Sequence, residues 1–208
     1  MKSGSWSGGE TRGPSTLSVS PRLGSWDKNL PEVILGDGVP AIASLRKIRA
    51  DRYVRARGRK VGIDITWVTD RIGIGGGIWN ADNMAAVSRA GITHIIDMQI
   101  EFDDTPLAEP HGIVVCWNPV DDDFKPKPPE VFERGVEFAL AALKQDGTKL
   151  FVHCAAGVHR APMMTLALLG VLGWTVEDGM ELIERKRPVA DFADVYVQSV
   201  EKFLNGRD

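Results

Sequence analysis

Residues 149–162 read KLFVHCAAGVHRAP: a short apolar run that ends in histidine and cysteine, a small-residue loop, and an arginine six positions after the cysteine. The segment that follows Ala161 and Pro162 is apolar for almost its whole length. This order predicts a strand, a tight loop and a buried helix, with Pro162 in the first helical turn. Backbone N–H groups of such a loop point inward at the helix N-terminus, which favours a bound phosphate.

The residue types in this loop suit chemistry on a phosphate. Cys154 lies where a loop and a helix N-terminus stabilise a thiolate, so it is the candidate nucleophile. Arg160 presents a planar fork to two oxygens of one anion. Gly157 gives the loop the freedom to turn inward. The predicted substrate-binding residues are therefore Ala155, Ala156, Gly157, Val158, His159 and Arg160.

Composition excludes several classes of protein. The chain has 208 residues, 43% hydrophobic and 25% charged, which is typical of one globular domain with an appendage. The net charge of -3 gives no general attraction to nucleic acid, and no apolar run approaches the roughly 18–20 residues of a membrane span. With only two cysteines and no apolar signal segment, we expect a reducing, cytoplasmic location.

Two parts of the chain differ in character. Residues 1–60 begin with a stretch rich in Ser, Gly and Pro and end with a basic run over 46–60, so we expect a flexible, basic N-terminal extension. The basic run is either a solvated face or linker, or a patch that attracts an anionic partner. The compact domain is predicted to span residues 61–208.

Apolar periodicity predicts alternating strands and helices in that domain, hence an α/β fold with a mostly parallel sheet and a helical C-terminus. Two nearly continuous apolar runs, 92–98 and 113–117, are predicted to be central strands. Residues 101–112 are polar with two prolines and are predicted to form a loop. The other predicted strands are 63–69 and 72–76. A first helix is predicted to begin after Asn80 or Asp82 as its N-cap. The further predicted helices are 128–144, 162–172, 176–186 and about 192–204.

The segment 153–160 resembles the signature of the dual-specificity protein phosphatases, within the cysteine-dependent phosphatase superfamily. Residues 91–96 resemble the strand before that family's variable loop, 118–122 its general-acid loop, and Arg187-Pro188 a landmark in its helical part. The resemblance covers roughly residues 62–205. It implies the α/β fold of that family and a phosphomonoester hydrolase that works through a cysteinyl-phosphate intermediate.

The resemblance also implies roles for further residues. His153 would support the thiolate by hydrogen bonding to the neighbouring backbone. Three adjacent aspartates, Asp121, Asp122 and Asp123, are candidates for the general acid, and alignment with the family favours Asp122. The same carboxylate would then activate the hydrolytic water. No cofactor and no metal is expected, because the four histidines show no ligand spacing.

Two positions depart from the family's usual pattern. Ala161 stands where a serine or threonine hydroxyl usually helps to release the thiol, so breakdown of the intermediate is expected to be slow. Arg-Ala-Pro at 160–162 is similar to the loop of plant glucan phosphatases, although Gly170-Val171 replaces their glucan-holding aromatics. The dipeptide His159-Arg160 is similar to the loop of a plant and fungal branch that acts on inositol pyrophosphates. That branch, however, has lysine where this chain has Val158. His159 either contacts substrate at the rim or is a solvated loop residue.

Three functions therefore stay open at this point. The first is hydrolysis of phosphoprotein, on tyrosine and on serine or threonine. The second is hydrolysis of a non-protein phosphate: glucan, inositol phosphate or phospholipid. The third is a phosphate-binding module without turnover, which the presence of cysteine, arginine and aspartate disfavours. Cys116 is expected to be a buried core thiol, although adjacent strands would allow a reversible disulfide with Cys154.

Overall fold

The computed structural model describes residues 62–207. The expected N-terminal extension and the basic run at 46–60 lie outside these residues. The chain order of the described elements is β1 Ile65–Trp67, β2 Ile72–Gly75, α1 Ala81–Arg89, β3 His94–Gln99, α2 Thr105–Ala108, a 3₁₀ turn Glu109–His111, β4 Val114–Val120, α3 Pro129–Leu143, β5 Leu150–His153, α4 Arg160–Val171, α5 Val176–Lys186 and α6 Asp194–Asn205.

The five strands form one sheet in the order β1-β2-β5-β3-β4. Only β1 is antiparallel to its neighbour among the described strands, so the predicted α/β fold with a mostly parallel sheet is confirmed. The strand β5 lies in the middle, paired with β2 on one side and β3 on the other. The loop that follows β5 therefore opens at the carboxyl edge of the parallel strands, where ligands bind in folds of this type.

Each face of the sheet has its own hydrophobic core. Ile96 and Val152 pack with residues of α3, α4, α5 and α6 on one face. Ile95 and Phe151 pack with residues of α1 and α2 on the other face. Successive residues of β3 and β5 thus enter opposite cores, which explains why these strands read as continuous apolar runs.

Two local predictions are wrong. The strand β4 is an edge strand with Val114 and Trp117 exposed, since an apolar run does not distinguish an interior strand from an edge strand that helices partly cover. The segment 101–112 is not a plain loop but contains α2 and the 3₁₀ turn. Its two prolines occupy first-turn positions, where no backbone N–H is needed, so they permit a helix there.

The helix α4 begins two residues before the predicted start, at Arg160. Ten of its twelve residues are buried, in agreement with the apolar sequence of this segment. Arg160 therefore lies in the first turn of a buried helix, directly beside the loop. This position fixes its backbone on rigid structure, and only its side chain must be oriented by other residues.

Candidate active site

The loop between β5 and α4 is held open by contacts that draw its carbonyl groups outward. The carbonyl of Ala155 accepts a hydrogen bond from the Gly77 N–H at 3.1 Å, and that of Val158 accepts from the Asp191 N–H at 2.8 Å. Between them, the carbonyls of Ala156 and Gly157 accept from the side chain of Arg187 at 3.2 and 2.7 Å. Four consecutive carbonyls thus face away from the centre of the loop, which leaves the inner side to N–H groups.

Gly157 cannot be replaced by another residue without strain. Its φ of 64° is in the left-handed region, and a Cβ on it would lie 2.4 Å from the carbonyl oxygen of Gly75. Its own N–H donates to the sulfur of Cys154 at 3.2 Å. The sharp turn at Gly157 therefore aims one backbone donor at the buried thiol, as expected for a loop that stabilises a thiolate.

Arg187 braces the loop against the first strand. Its guanidinium contacts the carboxylate of Asp64 at 2.6 and 3.2 Å and the hydroxyl of Thr66 at 3.0 Å, besides the two loop carbonyls. Asp64 in turn accepts the Gly76 N–H at 2.9 Å. From the sequence, Arg187 was only a landmark of the resemblance, and its contacts with the loop were not predicted.

Arg160 is fixed by a carboxylate that the sequence did not single out. Its Nη1 and Nη2 donate to the two carboxylate oxygens of Glu101 at 2.9 and 2.8 Å, and Nη1 also donates to the Val120 carbonyl at 2.9 Å. The hydrogen bonds from Arg160 lower the pKa of Glu101. The Nε–H of Arg160 is buried with no hydrogen-bond partner among residues 62–207. One edge of the guanidinium, formed by Nε and the second hydrogen of Nη2, is therefore available to an anion.

The three aspartates have clearly different surroundings. Asp121 is exposed. Asp123 pairs with Lys127 and Lys125, and the Lys127 hydrogen bond is the main reason that its pKa falls to about 2. Asp122 alone of the three lies beside Arg160, with 3.9 Å between its Oδ2 and the arginine Nε. Asp122 is thus the aspartate of the three that lies nearest to Arg160, and its role as the general acid stays a prediction.

Both oxygens of Asp122 accept a hydrogen bond. Oδ1 accepts from the Tyr196 hydroxyl at 3.0 Å, and Oδ2 lies 3.0 Å from Nδ1 of His159. Burial raises the pKa of Asp122, but the hydrogen bond and charge of His159, the Tyr196 hydroxyl and the charge of Arg160 outweigh burial and leave it lowered. The ionised carboxylate is thus the favoured form of Asp122 in the structure.

His159 is not a solvated loop residue, since its side chain is only 18% exposed, and its contact with substrate stays a prediction. Its second nitrogen, Nε2, lies 3.4 Å from Oδ2 of Asp191, so the ring bridges two carboxylates. The ring of Phe124 packs on it edge to face, 5.0 Å between centroids. Both sequence readings of His159 missed the bridge, because Asp122 and Asp191 lie in different loops.

His153 belongs to a polar cluster that is fully buried behind the loop. Its Nε2 lies 3.1 Å from Asp104 Oδ2 and 3.7 Å from Asp97 Oδ1. Burial raises the pKa of Asp97 to about 6. Within residues 62–207, these three side chains form the one group whose donor atoms, all within 4.8 Å of one another, could hold a metal ion. The histidine spacing in the sequence did not reveal them, since the carboxylates come from a neighbouring strand and from the segment after it.

Cys116 and Cys154 are both free thiols. Cys116 is half-buried against the core rather than fully buried, and this burial raises the pKa of its thiol. Cys116 lies on β4, and β3 separates β4 from β5, which leads to Cys154. The expectation of adjacent strands is therefore wrong, and two strand spacings of about 4.8 Å exceed the reach of a disulfide.

The fold and the site together define a cysteine-dependent phosphatase domain. The thiol and the arginine border one loop that can surround an anion, at the carboxyl edge of the parallel strands. The sequence profile described as "Dual specificity phosphatase, catalytic domain" matches residues 78–203. The chain belongs to the dual-specificity phosphatase catalytic-domain family.

Known proteins agree with this assignment. Protein tyrosine phosphatase type IVA 3 of Mus musculus is 33% identical over 103 residues, a match that covers 49% of this chain and 58% of that protein. The structure of DUSP15 has a TM-score of 0.59 at 26% identity and covers 69% of this chain and 88% of its own. PTPMT1 in complex with PI(5)P has a TM-score of 0.60 at 19% identity, covers 68% and 95% of the two chains, and supports the fold alone. This chain thus spans little more than half the length of the curated relative.

Among residues 62–207, none of the helices combines the length and the apolar character that crossing a membrane requires.

Proposed function

We propose that this protein hydrolyses phosphomonoesters through a cysteinyl-phosphate intermediate, with Cys154 as nucleophile, Arg160 as phosphate ligand and Asp122 as general acid. The observation that carries the proposal is the free edge of Arg160. Glu101 and Val120 accept from Nη1, and Glu101 also accepts from Nη2, while Nε stays buried and without a hydrogen-bond partner in the described part of the chain. A buried charged donor of this kind calls for an anionic ligand.

The loop supplies the rest of the phosphate seat. Because the carbonyls of residues 155–158 bond outward, the N–H groups of the loop, from Ala155, Ala156, Gly157, Val158, His159 and Arg160, face the seat. That of Gly157 donates to the sulfur of Cys154, and the others are left to bind oxygens of the phosphoryl group. Cys154 lies at the base of this seat, where the N–H of Gly157 and the helix N-terminus stabilise a thiolate. His153 supports the strand end that carries Cys154 through its contacts with Asp104 and Asp97.

The reaction then takes two steps. The Cys154 thiolate attacks phosphorus, the bond from phosphorus to the leaving oxygen breaks, and Asp122 gives that oxygen a proton. Next, Asp122 accepts a proton from water as the water attacks the phosphocysteine. The sulfur–phosphorus bond breaks, and inorganic phosphate and the thiolate are formed. The Nε/Nη2 edge of Arg160 and the loop N–H groups stabilise the charge on the phosphoryl oxygens in both steps.

The mechanism is tested with p-nitrophenyl phosphate. We expect Cys154→Ser to abolish turnover, whereas Cys116→Ser, the same change at the second free thiol, keeps it. Undiminished activity in Cys154→Ser would refute the mechanism. Asp122→Asn and Asp123→Asn form a matched pair for the acid and are assayed on phenyl phosphate, whose leaving group is poor. A loss of about 10²–10⁴-fold is expected only at Asp122. Loss at Asp123 instead would reassign the role.

We propose phosphorylated protein, on tyrosine and on serine or threonine, as the substrate. A phospholipid is the second candidate, because exposed apolar side chains flank the loop. Trp79 is 46% exposed and follows Gly77, which bonds to the loop, while Phe102 is 36% exposed and follows Glu101, which holds Arg160. PTPMT1, which has a similar fold, has been solved in complex with PI(5)P. A panel of phosphopeptides, phosphoinositides, inositol phosphates and phosphoglucan separates these candidates.

Ala161 bears on the rate rather than on the substrate. It is fully buried in the first turn of α4, directly after Arg160. With no hydroxyl there to assist the leaving thiol, we propose that breakdown of the phosphocysteine limits turnover. A rapid burst of p-nitrophenol before the steady state is the expected sign, and Ala161→Ser should raise the steady-state rate. Equal burst and steady-state rates would contradict this proposal.

We further propose a reducing, cytoplasmic location and no nucleic-acid partner, supported by the two free thiols and by the net charge of -3. Cell fractionation, combined with measurement of the thiol state of Cys154 in each fraction, tests the proposed location. A filter-binding assay at low salt tests the second.

A further inference from the structure

We propose that His159 positions Asp122 and holds the proton that Asp122 delivers at neutral pH, while Asp191 fixes the far side of the imidazole ring. This inference rests on the proposed function, because it concerns the acid of that reaction. It assigns a role to a contact chain, Asp191–His159–Asp122, whose members come from three separate parts of the sequence.

The need for such a residue follows from the surroundings of Asp122. Two donors, the Tyr196 hydroxyl and His159 Nδ1, occupy its two oxygens at 3.0 Å each. A carboxylate that accepts on both oxygens is favoured in its ionised form, and the pKa of Asp122 is indeed lowered. By itself, such a group would carry a proton only in acidic solution, and it would be a poor acid at neutral pH.

His159 supplies the missing proton. Burial lowers the pKa of its ring, but the hydrogen bonds and charges of Asp122 and Asp191 outweigh burial and raise it above 6.5. In this proposal, the proton that Asp122 delivers rests on Nδ1 of His159, which lies 3.0 Å from Oδ2 of Asp122. A phosphoryl group bound beside Asp122 adds negative charge and favours transfer of this proton to the carboxylate, from which the leaving oxygen takes it.

The ring is held in the orientation that this transfer needs. Oδ2 of Asp191 lies 3.4 Å from Nε2, and the N–H of Asp191 donates to the Val158 carbonyl at 2.8 Å, which ties this residue to the loop. Phe124 packs on the ring edge to face at 5.0 Å and stacks on Tyr196 at 5.7 Å. The side chain of His159 is only 18% exposed, so water competes little for its nitrogens.

Other charged groups near the pair also affect its titration. Arg160 lies 3.9 Å from Asp122 and favours the ionised carboxylate, while Glu101 balances the charge of Arg160. The thiolate of Cys154 and bound phosphate act in the opposite sense. The groups that face His159 or its partners from all neighbouring elements are thus Asp122, Asp123 with Lys125 and Lys127, Cys154, Arg160, Glu101, Asp191 and Tyr196.

The test replaces His159 by asparagine. The amide of asparagine can still donate to Asp122 from the place of Nδ1, but it holds no titratable proton, so positioning and proton holding are separated. The measured quantity is kcat/KM between about pH 4.5 and 8.5, because it reports formation of the phosphocysteine, the step that uses the acid. Phenyl phosphate and p-nitrophenyl phosphate serve as a matched pair that differs mainly in how much the leaving oxygen needs a proton.

We expect the alkaline limb of the phenyl phosphate profile to move to lower pH in His159→Asn. At pH 7, kcat/KM should fall about 10- to 100-fold on phenyl phosphate and much less on p-nitrophenyl phosphate. Asp191→Asn should move the limb in the same direction by a smaller amount. His111→Asn, the same change at an exposed histidine of the 3₁₀ turn, is the control and should leave both profiles unchanged.

A second measurement does not depend on turnover. In Cys154→Ser protein, NMR titration of the His159 ring should give a midpoint above 6.5, and Asp122→Asn or Asp191→Asn should lower it. The inference is overturned by a midpoint at or below 6.5, by an unchanged alkaline limb in His159→Asn, or by an equal loss on both substrates. Failure of the proposed function is distinct from these outcomes, since the wild-type protein would then be inactive or Cys154→Ser fully active.

Discussion

Replacing Arg187 by methionine should lower the free energy of unfolding by about 3–5 kcal/mol, the usual cost of removing one partner from a buried ion pair. The side chain of Arg187 is 1% exposed and lies 2.6 Å from the carboxylate of Asp64. It also donates to Thr66 and to the carbonyls of Ala156 and Gly157. Methionine keeps the apolar stem in place but loses all of these donors, so the loss reports the polar contacts rather than the packing.

The same change should reach the active site, because two of the lost contacts draw loop carbonyls outward. Once those carbonyls are released, the N–H groups of the loop no longer share one centre. A misplacement of about 1 Å costs on the order of 10²-fold in rate, so we expect a loss of that size in kcat/KM for p-nitrophenyl phosphate. Activity is measured well below the unfolding midpoint, where the variant is still folded.

Arg185→Met is the matched control, two residues away in the last turn of α5, whose C-cap residue is Arg187. Arg185 is half exposed, and its contact with Glu181 is 4.0 Å, so its removal should cost less than about 1 kcal/mol. Both variants are compared with the wild type by urea unfolding followed through tryptophan fluorescence, with slope and midpoint fitted together. If Arg187→Met unfolds at the same urea concentration as Arg185→Met, the contacts of Arg187 do not stabilise the loop.

Three further predictions follow from single contacts. Gly157→Ala should lower the free energy of unfolding by several kcal/mol and remove most of the activity, because a left-handed φ and a close carbonyl both oppose a Cβ. Gly147→Ala is the control, since Gly147 has a φ of 78° but open space around it. It should cost only about 1 kcal/mol, as measured by thermal unfolding. His159→Asn should lower the free energy of unfolding most between pH 3.8 and 6.5. The pKa of His159 is raised in the folded protein, so the stabilisation that protonated His159 provides is lost as pH rises through that pKa. The pKa of Asp122 is lowered, so the stabilisation that its carboxylate provides is lost as pH falls through its folded pKa. After peroxide treatment, mass spectrometry should find no disulfide between Cys116 and Cys154. The activity that an added thiol restores should be the same in Cys116→Ser as in the wild type.

Much of the fold was readable because its signals are local. The apolar runs of β3 and β5 and the helical spacing of α3 and α5 each depend on neighbours within a few residues, and the structure has these elements close to their predicted bounds. The errors arose where a local signal has two outcomes. The apolar run at 113–117 fits an edge strand as well as a central one, and the prolines of 101–112 fit helix starts as well as loops.

The residues of the loop itself were also predicted from sequence, because a cysteine, a glycine and an arginine at fixed spacing between strand and helix constrain one another through the backbone. Their roles remain predictions. The sequence did not indicate which distant side chains hold these loop residues in place. Glu101 meets Arg160 across 59 residues, and Asp64 meets Arg187 across 123. Contacts of this kind depend on strand order, which periodicity does not report.

His159 shows the same division most clearly. The sequence by itself determined that an imidazole stands next to the arginine of a phosphate-shaped loop. Only the tertiary structure decided that this imidazole bridges Asp122 and Asp191, since the first lies after β4 and the second before α6. A side chain's type and spacing follow from the chain, but its charge state depends on which distant groups the fold brings within about 4 Å. The proposed acid is therefore a property of the folded pair rather than of the aspartate alone.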